Sequence, residues 1–267
     1  MTTRASQKDS NDDFKTVGKT SARLGKASFE ENLQERRAII HRSRMFKALS
    51  EELDPFLKDI TKIRCLAIGS FHEEFAALYQ LALLLELLDL INPGGASFKV
   101  SIYDPVFTDA DRKFIGNMGS DWTIDEKCPW DPENSSNVLF FLPHAPLDLT
   151  QNILISEKPK FFLANHIAKH VDRYTRAQLA LKYPVLAKLN HVLASSDPHP
   201  DSGFKPFVSR KARRKQKHQP QESEIDYDKI ETYFQEVQVI TDFSGGRSLM
   251  DQPWINSFSD LALQLIV

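Results

Sequence analysis

The sequence predicts an α/β fold built on a mainly parallel sheet. Short runs of consecutive apolar residues alternate with helical patterns along the chain, which is the order of β-α-β units. The runs are apolar throughout and not only at every second position, as strands are when helices cover both faces of a sheet. Turn residues end two of these runs, at Gly69-Ser70 and at Asp104-Pro105. We therefore expect a Rossmann-like sandwich of three layers, with the sheet in the middle.

The N-terminal part is predicted to hold a tail and one helix. Residues 1–27 are polar and lack apolar periodicity, so burial cannot offset the entropy of ordering them, and we expect them to be disordered. A helix is expected from Ser28 to about Leu49, because Ser28 suits the N-cap and Glu31 stands at the capping-box spacing. Its apolar stripe is incomplete, which indicates that this helical segment (28–58) packs on the main domain from outside.

The main domain is expected over 59–267. Strands are predicted where short apolar runs end in turn residues, and helices where apolar residues recur at helical spacing or follow a capping residue. The predicted strands are 63–68, 98–105, 122–124, 137–144, 161–165, 233–240 and 258–266. The predicted helices between them are 73–90, 108–118, 147–156 and 174–182.

A change of composition predicts an exposed, disordered insertion at about 197–224. This stretch holds four prolines and a basic run, 209–218, with six Lys or Arg residues and no acid. Such a run is typical of a nuclear-import signal or of a solvated loop, and both readings stay open. No aromatic residue is interleaved to stack on a base, so we expect no nucleic-acid binding.

The totals exclude several classes of protein. Lys plus Arg (34) nearly balances Asp plus Glu (36), so no overall field attracts nucleic acid or an acidic membrane. Two distant cysteines, Cys65 and Cys128, provide neither a disulfide framework nor a zinc site. The most apolar stretch, 75–91, is too short to span a bilayer and contains Glu86 and Asp89, and the N-terminus lacks the apolar core of a signal peptide. We expect a soluble protein of the cytoplasm and nucleus that binds no membrane.

Polar residues follow four of the predicted strands. Gly69 and Ser70 follow the first strand, Asp104 the second, His144 the fourth and Asn165 the fifth. In an open parallel sheet, ligands bind beyond the carboxyl ends of the strands, where the strand order reverses. These five residues therefore form a candidate ligand-binding rim. We assign no catalytic residue and no metal ligand.

The rim does not match a dinucleotide site. Gly69 is the one glycine in its turn, and Glu73 and Glu74 open the next helix, where acids suit the helix dipole but repel a phosphate. Asp104 lies 35 residues past Gly69, against about 20 for the usual ribose-binding acid. A cofactor without a phosphate group, such as S-adenosylmethionine, fits better because Asp104 could hold a ribose. Asp104-Pro105 is equally well explained as a strand-ending turn, and the cofactor stays unknown.

Two other chemistries are disfavoured. Ser70, Asp104 and His144 could suggest a hydrolytic triad, but the G-x-S-x-G nucleophile elbow is missing. His166 and His170 have the i, i+4 spacing of metal ligands, but the sequence offers no third ligand, which favours a solvated face.

Several segments, in order along 60–266, resemble the "sensitivity to red light reduced" family. They are Leu66–Phe71 with Gln80–Leu85, Tyr103–Phe107, Phe140–His144 and Phe258–Leu261. The residues that match the family blocks are Gly69, Gln80, Asp104, Pro105, Pro143, His144 and Asp260. Ala67 departs from the pattern, because it stands where the family usually has the first glycine of G-x-G.

This resemblance implies a regulatory protein with protein partners and no established reaction. The family is associated with circadian and light signalling in plants, with clock-gene expression and haem biosynthesis in animals, and with microtubule-related processes in fungi. The basic insertion suggests a fungal member. The alternatives are a methyltransferase-like enzyme that depends on S-adenosylmethionine and a ligand sensor that uses the same rim without turnover.

Overall fold

The computed structural model describes residues 28–196, 225–250, 252–254 and 256–267. The strands are β1 (Lys62–Leu66), β2 (Lys99–Tyr103), β3 (Trp122–Ile124), β4 (Val138–Leu142), β5 (Phe161–Asn165), β6 (Val237–Thr241) and β7 (Leu261–Ile266). The helices are α1 (Phe29–His41), α2 (Arg44–Leu53), α3 (Phe75–Ile91), α4 (Asp109–Asn117), α5 (Leu147–Ser156), α6 (Ile167–Val171), α7 (Arg176–Lys182) and α8 (Pro184–Ser196).

The seven strands form one sheet in the order β3-β2-β1-β4-β5-β7-β6. The first five strands in this order are parallel to one another, whereas β7 runs antiparallel to both β5 and β6. The mainly parallel α/β fold is therefore confirmed. The strand order reverses between β1 and β4, where Cys65 of β1 lies opposite Ile102 on one side and Phe141 on the other.

Helices cover both faces of the sheet, as the unbroken apolar strands predict. Leu139 and Phe141 of β4 belong to a core that includes residues of α1, α2, α3 and α4. Phe140 and Leu142 face the opposite way and pack with α5, α6, α7 and α8. Successive side chains of a strand point to opposite faces, so one apolar run supplies both cores. The three-layer architecture is confirmed.

The N-terminal segment forms two helices and not the single predicted one. α1 begins at the expected capping box of Ser28 and Glu31, and a second N-cap, Ser43, accepts a hydrogen bond from the backbone N–H of Phe46 to start α2. α1 lies on α3, where Arg37 Nε donates to a Glu86 carboxylate oxygen at 2.7 Å. α3 is apolar on nearly every side, so its outer face needs this cover.

Other differences concern the second half of the chain. α6 and α8 were not predicted, although Pro184 at the first position of α8 is a helix-start signal. The predicted tail (1–27) and insertion (197–224), with its basic run, lie outside the described residues. No helix within the described ranges has the length and apolarity that a bilayer span needs.

Candidate functional site

A cavity of about 730 Å³ opens at the carboxyl ends of β1, β2 and β4, where the strand order reverses. This volume lies within the range of about 300–1,000 Å³ that small-molecule sites occupy. Its polar lining residues are Glu74, Gln80, Tyr103, Asp104, Glu126 and His144. Its other lining residues are Ala67, Ile68, Gly69, Ala76, Ala77, Pro105, Val106, Pro146 and Leu149.

The loop after β1 forms one wall of the cavity and needs a left-handed backbone. Gly69 has φ of +76°, and a Cβ atom at this position would lie 3.2 Å from Cβ of Ala77. The backbone N–H of Gly69 donates to Asp104 Oδ2 at 2.8 Å, and that of Ser70 donates to Glu74 Oε1 at 3.4 Å. Two amides of this loop are therefore bound to carboxylates of the protein itself.

Asp104 both ends β2 and lines the cavity. Its side chain is buried, and Oδ1 accepts the backbone N–H of Val106 at 3.0 Å in an Asx turn. The strand-ending turn that the sequence suggested is present. Each carboxylate oxygen has a second lone pair, so Asp104 keeps the capacity to accept a further hydrogen bond from a ligand.

Ser70 does not line the cavity, and its hydrogen bonds hold the loop after β1 in place instead. Its hydroxyl donates to Asp111 Oδ2 at 2.7 Å, and Asp111 also accepts hydrogen bonds from His72 and Thr108. Burial opposes ionisation of Asp111, but these hydrogen bonds outweigh it and hold the pKa of the carboxyl below its usual value. Phe29 of α1 stacks on the His72 ring with 3.9 Å between ring centroids, so α1 reaches the same loop.

His144 lies at the cavity with an exposed side chain. Its Nε2 is 2.8 Å from the backbone oxygen of Asn256. A carbonyl oxygen only accepts, so Nε2 carries the proton and Nδ1 is the lone-pair nitrogen of the neutral ring. Since Ser70 is bound to Asp111, the structure gives no support to a triad of Ser70, Asp104 and His144.

Asn165 stands at the same edge of the sheet but does not line the cavity. Its Nδ2 donates to Asp260 Oδ1 at 2.7 Å, and its backbone oxygen accepts from Gln264. Nearby, burial lowers the pKa values of His166 and His170. Among the residues that the structure describes, no three His, Cys, Asp or Glu side chains are placed to hold a metal ion.

The structure adds residues that the sequence reasoning missed. Arg64 is fully buried in β1 and donates to the Ser101 hydroxyl and the Asp125 backbone oxygen, both at 2.7 Å. It also donates to the backbone oxygen of Glu126, which places that residue at the cavity. The sequence feature that could have identified Arg64 is a charged residue inside an otherwise apolar run. Gln80, which was named from the sequence only for its match to the family blocks, is a polar residue inside the apolar α3 and lines the cavity.

Comparison with known proteins identifies the family of the chain. The family model of the SRR1 domain matches residues 45–265, from within α2 to within β7. The chain belongs to the SRR1 domain family. The match includes every lining residue of the cavity, and it confirms the resemblance that the sequence segments indicated.

One curated relative also matches the SRR1-domain chain. An SRR1-like protein of Drosophila melanogaster is 29% identical over 119 residues, which cover 45% of this chain and 41% of that protein. The match therefore spans about two-fifths of the relative's length. No solved structure matches the chain.

Proposed function

We propose that this SRR1-domain chain is a regulatory protein that binds a small molecule in the cavity between β1 and β4. One observation carries the proposal: Gly69, Asp104 and His144, which the sequence placed at the ends of three strands, line a single cavity where the strand order reverses. Open α/β sheets bind ligands at this position.

The hydrogen bonds at the cavity favour binding without turnover. Both oxygens of Asp104 hold backbone N–H groups, and Nε2 of His144 is bound to a backbone oxygen. The Ser70 hydroxyl is bound to Asp111. The side chains that could take part in catalysis are thus used to hold loops in place. A ligand that binds one conformation of these loops more tightly would increase the population of that conformation.

We propose that the regulated processes are those associated with the family. They are circadian or light-type signalling, gene expression, haem biosynthesis and, for a fungal chain, microtubule-related processes. Such a protein would act in the cytoplasm and nucleus through protein partners. Family membership over 45–265 supports this part of the proposal.

Thermal melts test whether the cavity binds a ligand. The full chain would be melted with S-adenosylmethionine, NAD, haem and ATP, because a ligand at a hundred times its Kd adds about 2.7 kcal/mol to native stability. Leu149→Trp on α5 would place a larger side chain in the cavity and reduce the shift, whereas Leu181→Trp, at an exposed position on α7, would keep it. The proposal fails if no compound raises Tm and Asp104→Ala stays folded and functional in cells.

A second candidate is an S-adenosylmethionine-dependent, methyltransferase-like enzyme. An acid after the second strand of an open α/β sheet can bind the hydroxyls of a ribose, and Asp104 stands at that position and lines the cavity with Gly69. S-adenosylmethionine has a ribose and no phosphate. Fold alone does not decide function. Transfer of a labelled methyl group to any cellular acceptor, reduced by Leu149→Trp and kept by Leu181→Trp, would favour this enzyme over the sensor.

A further inference from the structure

The polar groups of the cavity indicate which chemical class of ligand it takes, given the proposed function that a small molecule binds there. We infer that the ligand carries no phosphate and presents hydrogen-bond donors or a positive charge on an apolar body. The inference follows from three features of the cavity: loop amides that are already bound, a lining of acceptors, and an apolar remainder.

The loop amides that would hold a phosphate already bind carboxylates. In dinucleotide-binding folds, the backbone N–H groups between the first strand and its helix bind the pyrophosphate. Here the N–H of Gly69 binds Asp104 at 2.8 Å and the N–H of Ser70 binds Glu74 at 3.4 Å. Two anionic side chains therefore occupy the place of an anionic ligand. A ligand phosphate would find these N–H donors already occupied, and the negative charges of Asp104 and Glu74 would repel it.

The remaining polar lining consists mainly of hydrogen-bond acceptors. Glu74, Asp104 and Glu126 are carboxylates, and no Lys or Arg lines the cavity within the part of the chain that the structure describes. His144 uses Nε2 as a donor to the backbone oxygen of Asn256, so that donor is already occupied.

The side-chain donors at the cavity are few. Nε2 of Gln80 already donates a hydrogen bond to the backbone oxygen of Ser257 at 3.0 Å. The phenol of Tyr103 can donate as well as accept. Because acceptors and negative charges predominate, the complementary ligand supplies donors or a positive charge. An amine, an ammonium or the hydroxyls of an unphosphorylated sugar would donate, and a sulfonium would supply the charge alone.

The rest of the lining is apolar and calls for an apolar body in the ligand. Ile68, Ala77, Val106, Pro146 and Leu149 belong to this part of the wall. A nucleoside or another ring system with a cationic or hydroxyl-bearing arm satisfies both parts of the cavity. ATP, NAD and the two propionates of haem do not fit, because each brings anionic groups to an acidic wall.

Matched pairs of probes test the inference by titration calorimetry on the full chain. Comparing the affinities of adenosine and AMP isolates the effect of the phosphate. Comparing those of S-adenosylmethionine and S-adenosylhomocysteine isolates the effect of the sulfonium charge. We expect adenosine to bind at least about tenfold more tightly than AMP, and S-adenosylmethionine to bind more tightly than S-adenosylhomocysteine, which lacks the sulfonium charge, by a similar factor, about 1.4 kcal/mol. The preference should decrease as salt screens the carboxylates.

Single-charge variants connect the preference to the cavity. Glu74→Gln and Glu126→Gln each replace an exposed carboxylate by an amide of the same shape, so the fold is retained. Each variant should weaken the binding of S-adenosylmethionine by about tenfold and reduce the preference for adenosine over AMP. Glu73→Gln, at the exposed neighbour of Glu74 that does not line the cavity, should change neither.

The outcomes separate this inference from the proposed function. If ATP, NAD or haem binds and Leu149→Trp weakens that binding, the cavity is a ligand site but the inferred ligand class is wrong. If AMP binds as tightly as adenosine, the inference is overturned in the same way. If adenosine and S-adenosylmethionine show no binding at about 1 mM, the inference is wrong, and if no other compound binds either, the proposed function fails with it.

Discussion

Arg64 Nε lies 3.3 Å from Glu157 Oε2, and both side chains of this ion pair are buried. The same guanidinium donates to the backbone oxygens of Asp125 and Glu126, in the loop that follows β3. One charged side chain therefore joins the central strand, the end of α5 and the loop that supplies an acidic residue to the cavity wall.

Replacing Arg64 should destabilise the fold strongly. Arg64→Met leaves the buried Glu157 carboxylate without its partner and the loop carbonyls without their donor. Removing one member of a buried ion pair costs about 3–5 kcal/mol, so the free energy of unfolding from urea titration should fall by about that amount.

A double variant separates the ion pair from the packing at this position. Arg64→Met combined with Glu157→Leu removes both charges, and it should lose less stability than Arg64→Met alone. A double variant that is less stable than the single one would contradict the ion pair as the source of the effect.

Local patterns were sufficient for most of the fold. The predicted ranges of α5 and β5 agree with the structure, because each is a compact apolar segment bounded by turn residues. The insertion of β7 between β5 and β6 could not be predicted in the same way. That pairing joins Asn165 to Leu261, which are far apart in sequence, and no local pattern encodes it.

The candidate site was predictable where a residue directly follows a strand. Asp104 and His144 lie at the cavity for this reason. Glu74 was named from the sequence only as an acid that opens a helix and repels a phosphate, and Glu126 was not named. Glu74 comes from the start of α3, and Glu126 from a loop that Arg64 positions through a long-range contact. Such placements depend on packing between distant segments of the chain.

The backbone at Gly69 should not tolerate a side chain. Gly69→Ala would force an alanine to adopt φ of +76° and place its Cβ 3.2 Å from Cβ of Ala77 and 3.3 Å from Glu74 Oε2. We expect a loss of about 1–3 kcal/mol in the free energy of unfolding, measured by urea titration.

Gly116 provides the matched control for that substitution. It lies in α4, has no atom within 4 Å of a built Cβ and does not need a positive φ. Gly116→Ala should stabilise the protein by about 0.5–1 kcal/mol, because alanine favours a helix. Equal effects of the two substitutions would show that the Gly69 loop carries no special constraint.

The two thiols should react slowly in the native protein. Burial raises the pKa of Cys128 to about 11, so about one thiol in a thousand is a thiolate at pH 8. Cys65 is fully buried, and burial raises its pKa as well. Mass spectrometry after iodoacetamide treatment should show little labelling of either residue until urea unfolds the chain. Labelling of native Cys65 at the rate of an unfolded peptide would contradict its burial.

Asp111 should make the stability of the protein depend on pH in the acid range. Burial disfavours its charge, but hydrogen bonds from Ser70, His72 and Thr108 outweigh burial and keep the pKa below the ordinary value of 3.8. A carboxyl group with a lowered pKa in the native state stabilises the fold fully at pH values above its pKa in the unfolded chain. That contribution is lost as the pH falls through the native pKa.

Comparison with Asp111→Asn isolates this contribution from the other carboxyl groups. The variant keeps the shape of the side chain but not its charge, so it should be less stable than the natural chain at pH 6, measured by urea titration. The difference should shrink as the pH falls below 3.8, where the carboxyl of the unfolded chain is protonated, and reach its lowest value below the native pKa. A difference that stays constant over this range would mean that the Asp111 hydrogen bonds to the loop do not depend on its charge.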